Sequence, residues 1–158
     1  MEGLYSVSTK YSYEEYKKFN EALLKKRHTW KIMIGCSVLI LLVGVWAKEN
    51  WMVLFALLYP LFFYLIQNYN IKKIYESNKL NAEMDIHYEF FKDHFTEGNQ
   101  MGEVKIPYEK LSEIIETKTN FYLMIAKNQG FMLSKENMED GLIAFLKEKM
   151  ASLDRTKK

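Results

Sequence analysis

Two long apolar runs divide the chain into segments of different periodicity. Residues 32–47, IMIGCSVLILLVGVWA, hold 16 uncharged residues, and residues 51–71, WMVLFALLYPLFFYLIQNYNI, hold 21. As helices they reach about 24 Å and about 31 Å, against a hydrocarbon core about 30 Å thick. Thr29 and Trp30 extend the first run, which sets the spans at 30–47 and 51–71. Neither run has the polar stripe that a core helix of a soluble protein normally shows. Trp30, Trp46, Trp51, Tyr59 and Tyr69 include aromatics at all four ends, as in interfacial belts. The pattern predicts a transmembrane helical hairpin over 32–71, turning at Lys48, Glu49 and Asn50. A cleaved signal peptide fits poorly, because 31 residues precede the first run and a second run follows at once.

The flanks change period. Residues 4–11, LYSVSTKY, alternate and predict a strand. Ser12 and Glu15 have capping-box spacing, and Tyr13, Tyr16, Phe19, Leu23 and Trp30 recur at helical intervals. With no Pro or Gly over 12–34, this helix is expected to run straight into the first span. Residues 1–31 are thus a strand and an amphipathic arm, and 72–83 a linker. Beyond it, MDIHYEFF (84–91) alternates as a strand. Gly98, Asn99 and Gly102 signal a turn before a short strand at 104–106. LSEIIE (111–116) is apolar and β-branched, and YLMIAK (122–127) reads as a strand. NQG (128–130) reads as a hairpin turn in which Gly130 supplies positive φ, with FMLS (131–134) returning. Met138, Leu142, Phe145, Leu146, Lys149 and Leu153 mark one face of a terminal helix, and 154–158 a charged tail expected to fray. Four or five antiparallel strands and one helix make an α+β unit over 84–153. Its own core is small, so the strand at 4–11 is expected to join its sheet.

Charge sharpens the topology. Of 42 Lys, Arg, Asp and Glu, 40 lie outside residues 32–71, so a mean hydropathy of −0.24 averages two populations. Lys25, Lys26, Arg27, Lys31, Lys72, Lys73 and Lys79 flank the outer ends of the hairpin, against Lys48 in its turn. That bias puts both termini in the cytoplasm of a multi-pass protein of the plasma membrane. The expected partner is a bilayer with anionic headgroups, worth about 1 kcal/mol per close basic residue. The membrane-interface set is Lys25, Lys26, Arg27, Trp30, Lys31, Trp46, Trp51, Tyr69, Lys72 and Lys73. A net charge of +2 without a basic, aromatic-interleaved run gives no reason to expect nucleic acid.

Candidate chemistry is sparse. No Asp, Glu, Arg, Lys or His interrupts either run, which argues against a transport path. Pro60 is expected to kink the second span. Cys36 is the single cysteine, so no internal disulfide forms. His87 and His94 fall on opposite faces of a regular strand, and His28 lies in the arm. Neither a catalytic motif nor a metal or cofactor set emerges, so a non-enzyme is expected. Gly35, Ser37, Gly44 and Ala56 suit close helix packing, within the hairpin or in a homo-oligomer through the spans. The turns at Gly98 and Asn99, at Asn120, and at Asn128 and Gly130 are the candidate surfaces for an unknown protein partner.

The order of these elements, with STKYSYEEYKKFN, YEFFKDHF and IPYEKLSEIIETKTNFYLMI followed by a glycine hairpin, resembles the YcxB-like family of small bacterial membrane proteins. The similarity extends over nearly the whole chain. It implies a C-terminal domain like a reduced pleckstrin-homology (PH) sheet and helix, and it transfers no catalytic residue. LSKEN keeps Lys135 but lacks the proline that often precedes such a lysine. The function expected is a membrane-anchored binding or scaffold protein. The alternative is protection against a membrane-active peptide or toxin.

Overall fold

The structure is a computed structural model and describes residues 3–77, 84–100 and 102–156. Its elements run β1 (Tyr5–Tyr11), α1 (Tyr13–Lys26), α2 (Thr29–Trp46), α3 (Asn50–Ser77), β2 (Met84–Phe90), β3 (His94–Asn99), β4 (Gly102–Pro107), β5 (Glu113–Glu116), β6 (Asn120–Ala126), β7 (Gln129–Ser134) and α4 (Asp140–Thr156). Residues 1–19 and 81–158 form one compact unit, and residues 20–80 a second.

The first unit is α+β. It contains two antiparallel sheets, β1-β2-β3-β4 and β5-β6-β7, where one sheet of four or five strands was expected. The strand at 4–11 does join, pairing along its length with β2 from Tyr5↔Phe90 to Tyr11↔Met84. Residues directly opposite share a face. Val7, Tyr88, Phe90, Phe95 and Ile106 from the first sheet meet Ile114, Phe121, Leu123 and Leu133 from the second in one core. α4 contributes Leu142 and Leu146, both fully buried, as its periodicity predicts. Phe145 packs on Tyr5 and Tyr108 with ring centroids 5.7 Å and 5.9 Å apart. Gly141 lets α4 approach β1 closely, since a Cβ there would lie 2.8 Å from Cε1 of Tyr5.

β6 carries no polar alternation because both of its faces are buried. Phe121 and Leu123 face the main core, while Tyr122 on the other face meets Phe19 of α1 edge-on at 5.3 Å. Ser12 starts α1 as its spacing predicts, accepting a hydrogen bond from the Glu15 amide at 3.3 Å.

The second unit is built on the α2–α3 hairpin. Both helices are long and apolar enough to cross a membrane. α1 does not run into α2: His28, at φ 55°, breaks the helix in the left-handed region. A single residue in that conformation ends a helix without Gly or Pro, so composition gave no warning. α3 continues to Ser77, which makes 72–77 helix and not linker, while 78–83 lie outside the described residues. Pro60 is accommodated inside α3. α4 likewise extends through Thr156 into the expected frayed tail; 157–158 lie outside the described residues.

The hairpin turn is a Schellman motif. Lys48 N–H donates to Val45 O at 3.2 Å and Glu49 N–H to Gly44 O at 2.9 Å, with Lys48 at φ 58° in the position usually held by glycine. Gly44 is required by contact: a Cβ would lie 2.9 Å from Cβ of Met52 and 3.1 Å from N of Val53. Ser37 donates from Oγ to Ala56 O at 2.5 Å, and Ala56 is buried. Gly35 differs, with open space where its Cβ would be.

Candidate functional site

The outward surfaces of α2 and α3 are the largest apolar feature. Only 11% of the most apolar stretch of α2 and 6% of that of α3 is buried, so the described residues leave most of both helices uncovered. Ile32, Ile34, Leu39, Leu42, Leu57, Leu61 and Leu65 are all more than half exposed. Cys36 is exposed among them.

The interface residues read from the sequence gather at the two ends of this hairpin. At the turn, Trp46 is 87% and Trp51 65% exposed. Trp51 donates from Nε1 to Glu49 Oε2 at 3.0 Å, so Glu49 is partnered and not simply solvated. At the other end, Lys25 and Lys26 close α1, Arg27 lies in the break, and Trp30 and Lys31 open α2, all exposed. Tyr69, Lys72 and Lys73 are exposed on α3, with Lys72 Nζ 3.8 Å from Glu76. Lys79 lies outside the described residues.

At this second end, Trp30 packs on Phe63 and Tyr64 with ring centroids 5.9 Å and 6.4 Å apart. Just beyond lies a cleft of about 250 Å³ lined by Glu21, Leu24, Lys25, Trp30, Tyr64, Gln67, Asn68 and Ile71. No local pattern marks it, because its walls come from segments some forty residues apart whose polar members are ordinary when read alone.

The turns expected to face a partner are mostly not exposed turns. Gly98 and Asn99 are half-buried members of β3, opposite Glu103 and Gly102; the tip beyond them begins at Gln100, and Met101 lies outside the described residues. Asn120 is fully buried. It donates to the Glu15 carboxylate and accepts at Oδ1 from Thr119 Oγ1 at 2.6 Å. Gly130 lies in β7 without positive φ. It is needed because a Cβ would meet Leu123 O at 2.8 Å and Met124 Sδ at 2.7 Å, beside a bulge between Met124 and Ala126. Asn128 alone of the five is exposed in a turn.

His87 and His94 are on neighbouring strands and not on two faces of one, because the chain reverses at Lys92 and Asp93. His87 exchanges a hydrogen bond with Ser8 Oγ at 2.9 Å. His94 is buried, stacked on Phe91 at 4.5 Å and hydrogen-bonded to Asp93 at 2.6 Å. That bond holds the Asp93 carboxyl below its usual range. Tyr108 donates to Phe91 O at 3.0 Å, and Lys149 lies 4.5 Å from the Tyr108 ring and donates to Lys92 O at 3.0 Å. These contacts pin the β2–β3 reversal. Among the described residues no group of three His, Cys, Asp or Glu could hold a metal ion.

No curated protein and no solved structure matches the chain. A family match falls on residues 90–150, from the end of β2 into α4, and so is narrower than the near-complete similarity expected. That stretch, with its fully buried Phe90, Phe121, Leu133, Leu142 and Leu146, is similar to the family described as YcxB-like protein.

Proposed function

We propose that the protein is a non-enzymatic binding or scaffold protein, anchored by the α2–α3 hairpin in the bacterial cytoplasmic membrane. In this reading both termini are cytoplasmic and the β1–β7 unit is a PH-like domain. The observation that carries it is the uncovered apolar surface of both helices. At about 25 cal/mol per Å² of apolar surface, leaving such a surface in water is costly, and a bilayer removes the cost. Pairing of Tyr11 with Met84 supports the even number of crossings. A chain that leaves and re-enters one sheet at adjacent residues starts and ends on the same side of a bilayer. Two sheets of four and three strands with one closing helix support the PH-like description. The basic residues at the open end of the hairpin favour an anionic cytoplasmic surface.

Topology is tested in a Cys36→Ser background. Glu49→Cys reacts with an impermeant maleimide in intact cells, whereas Asn128→Cys reacts only after permeabilisation. Release of the protein by alkaline carbonate, or the reverse labelling, overturns the anchoring. The binding role is tested by proximity labelling in native membranes from an enzyme inserted at Asn128. An enriched set identical to that of an unrelated cytoplasmic membrane protein removes it.

A further inference from the structure

We infer that the cleft at the open end of the hairpin binds a lipid headgroup carrying both a primary ammonium and a phosphodiester. This rests on the membrane reading above and adds a ligand to it. Glu21 and Lys25 stand four residues apart on α1 and both line the cleft. At that spacing a carboxylate and an ammonium are side-by-side neighbours on a helix and commonly pair. Among the described residues Glu21 and Lys25 take part in no ion pair, and the side-chain amides of Gln67 and Asn68 and the Trp30 indole N–H have no hydrogen-bond partner. Five polar groups thus converge on one opening with their bonding capacity unused, two of them with opposite full charges.

Depth selects the ligand. Trp30 is level with Phe63 and Tyr64, and Gln67 and Asn68 follow by three and four residues, roughly 5–6 Å further along the helix. An indole at the apolar boundary with amides one turn beyond is where glycerol and phosphate lie when the hairpin spans a bilayer. Leu24, Ile71 and the Trp30 and Tyr64 rings line the rest of the cleft, suited to the upper acyl carbons. Lys25 and the amides donate to the phosphodiester, and Glu21 accepts from the ammonium. Charge complementarity discriminates among lipids: a purely anionic headgroup places negative charge beside Glu21, and a quaternary ammonium has no N–H to donate to it.

The test uses the full chain in nanodiscs containing equal parts phosphatidylethanolamine, phosphatidylglycerol and phosphatidylcholine, with lipids retained on mild release read by native mass spectrometry. The expected result is retention of phosphatidylethanolamine over both competitors by about tenfold, the worth of one charge-assisted hydrogen bond. Glu21→Gln removes the preference over phosphatidylglycerol, Lys25→Ala weakens retention of all three, and Lys110→Ala, an exposed lysine of the first unit, changes neither. Phosphoethanolamine added in water serves as the second source of the same chemistry; displacement of bound lipid at equal concentration reassigns the cleft to a soluble ligand and overturns the lipid proposal. Equal retention of the three lipids, or a preference that survives Glu21→Gln, also overturns it. Carbonate extraction of the same preparation separates the two failures: a chain that stays in the membrane without headgroup preference sinks the site alone, and one that washes off sinks the membrane reading.

Discussion

Glu97 and Glu116 are half-buried acids of the same unit, yet their surroundings push them in opposite directions. Glu97 faces inward opposite Tyr88, whose hydroxyl donates to it at 3.4 Å. Burial raises its carboxyl above the ordinary 4.5, with the Tyr88 bond opposing. An acid whose folded value is raised contributes stability at low pH that is lost as pH rises through that value. Glu97→Gln keeps an acceptor for Tyr88 and removes the buried charge, so the variant should be more stable than the parent at pH 7 and lose the advantage near pH 4. Thermal unfolding followed by near-ultraviolet circular dichroism measures both. Glu116 is the reverse case. Lys135 donates to it at 2.7 Å and Lys147 stands at 3.4 Å, and the Lys135 bond holds its carboxyl below 4.5. That stability is present above the unfolded value and disappears as pH falls through the folded one. Glu116→Gln should therefore be less stable at pH 7, with the deficit closing in acid; an equal deficit at both pH values would show a packing effect instead. None of this was legible in the sequence, where Glu116 is an ordinary strand carboxylate and Glu97 stands in a stretch without strand alternation. Asn120 was misread for a related reason: Asn beside Lys and Thr signals a turn locally, and its long-range partner Glu15 decides that it is buried.

At the scale of elements, what was legible depended on how much of the signal was local. The α2–α3 hairpin, β1, β2 and α4 are strongly periodic and form where the pattern puts them. β3 was missed because HFTEGN carries Gly, Asn and a half-buried Glu, and its strand character comes from pairing on both sides, with β2 and β4. The α1–α2 break was missed because one left-handed His28 leaves no compositional trace. The hairpin turn has the same device at Lys48, and there it can be relieved. A non-glycine residue in that conformation costs about 1 kcal/mol, so Lys48→Gly should leave the hairpin intact and raise its stability by up to that amount. Gly44→Val should do the opposite, since its side chain meets the backbone of Val53 and not a yielding side-chain tip. Overpacking of this kind costs roughly 1–3 kcal/mol. Unfolding of the purified chain in detergent, followed through Trp46 and Trp51 fluorescence, ranks the two variants; a destabilised Lys48→Gly would remove the Schellman account of the turn.

For the whole molecule, the chain order hides a simple construction: the second unit is an insertion between two paired strands. β1 and β2 are antiparallel neighbours, which a short turn ordinarily joins, and here residues 20–80 occupy that connection. The N-terminal strand was expected to complete the sheet, and the reason is now specific. Val7 and Thr9 are buried, Thr9 Oγ1 accepts from the Ser134 amide at 3.1 Å, and Phe19 covers Tyr122. Residues 84–156 expressed alone lack all three contacts and leave an inner edge of β2 unpaired, so they should fail to fold, giving a collapsed amide spectrum. Joining residues 3–19 to 84–156 restores them. α1 advances about 10 Å between Tyr13 and Phe19 at 1.5 Å per residue, so a flexible Gly/Ser linker of about ten residues at roughly 3.3 Å each can return the chain to Met84 with slack. This fusion should be soluble without detergent, monomeric, and show dispersed amide resonances with slow exchange in β2 and β6. Its β1 Val7→Ala variant should lose about 1–3 kcal/mol of stability, in line with removing a buried aliphatic side chain. If the shorter fragment folds as well as the fusion, the N-terminal strand is an accessory, and the insertion account of the chain fails with it.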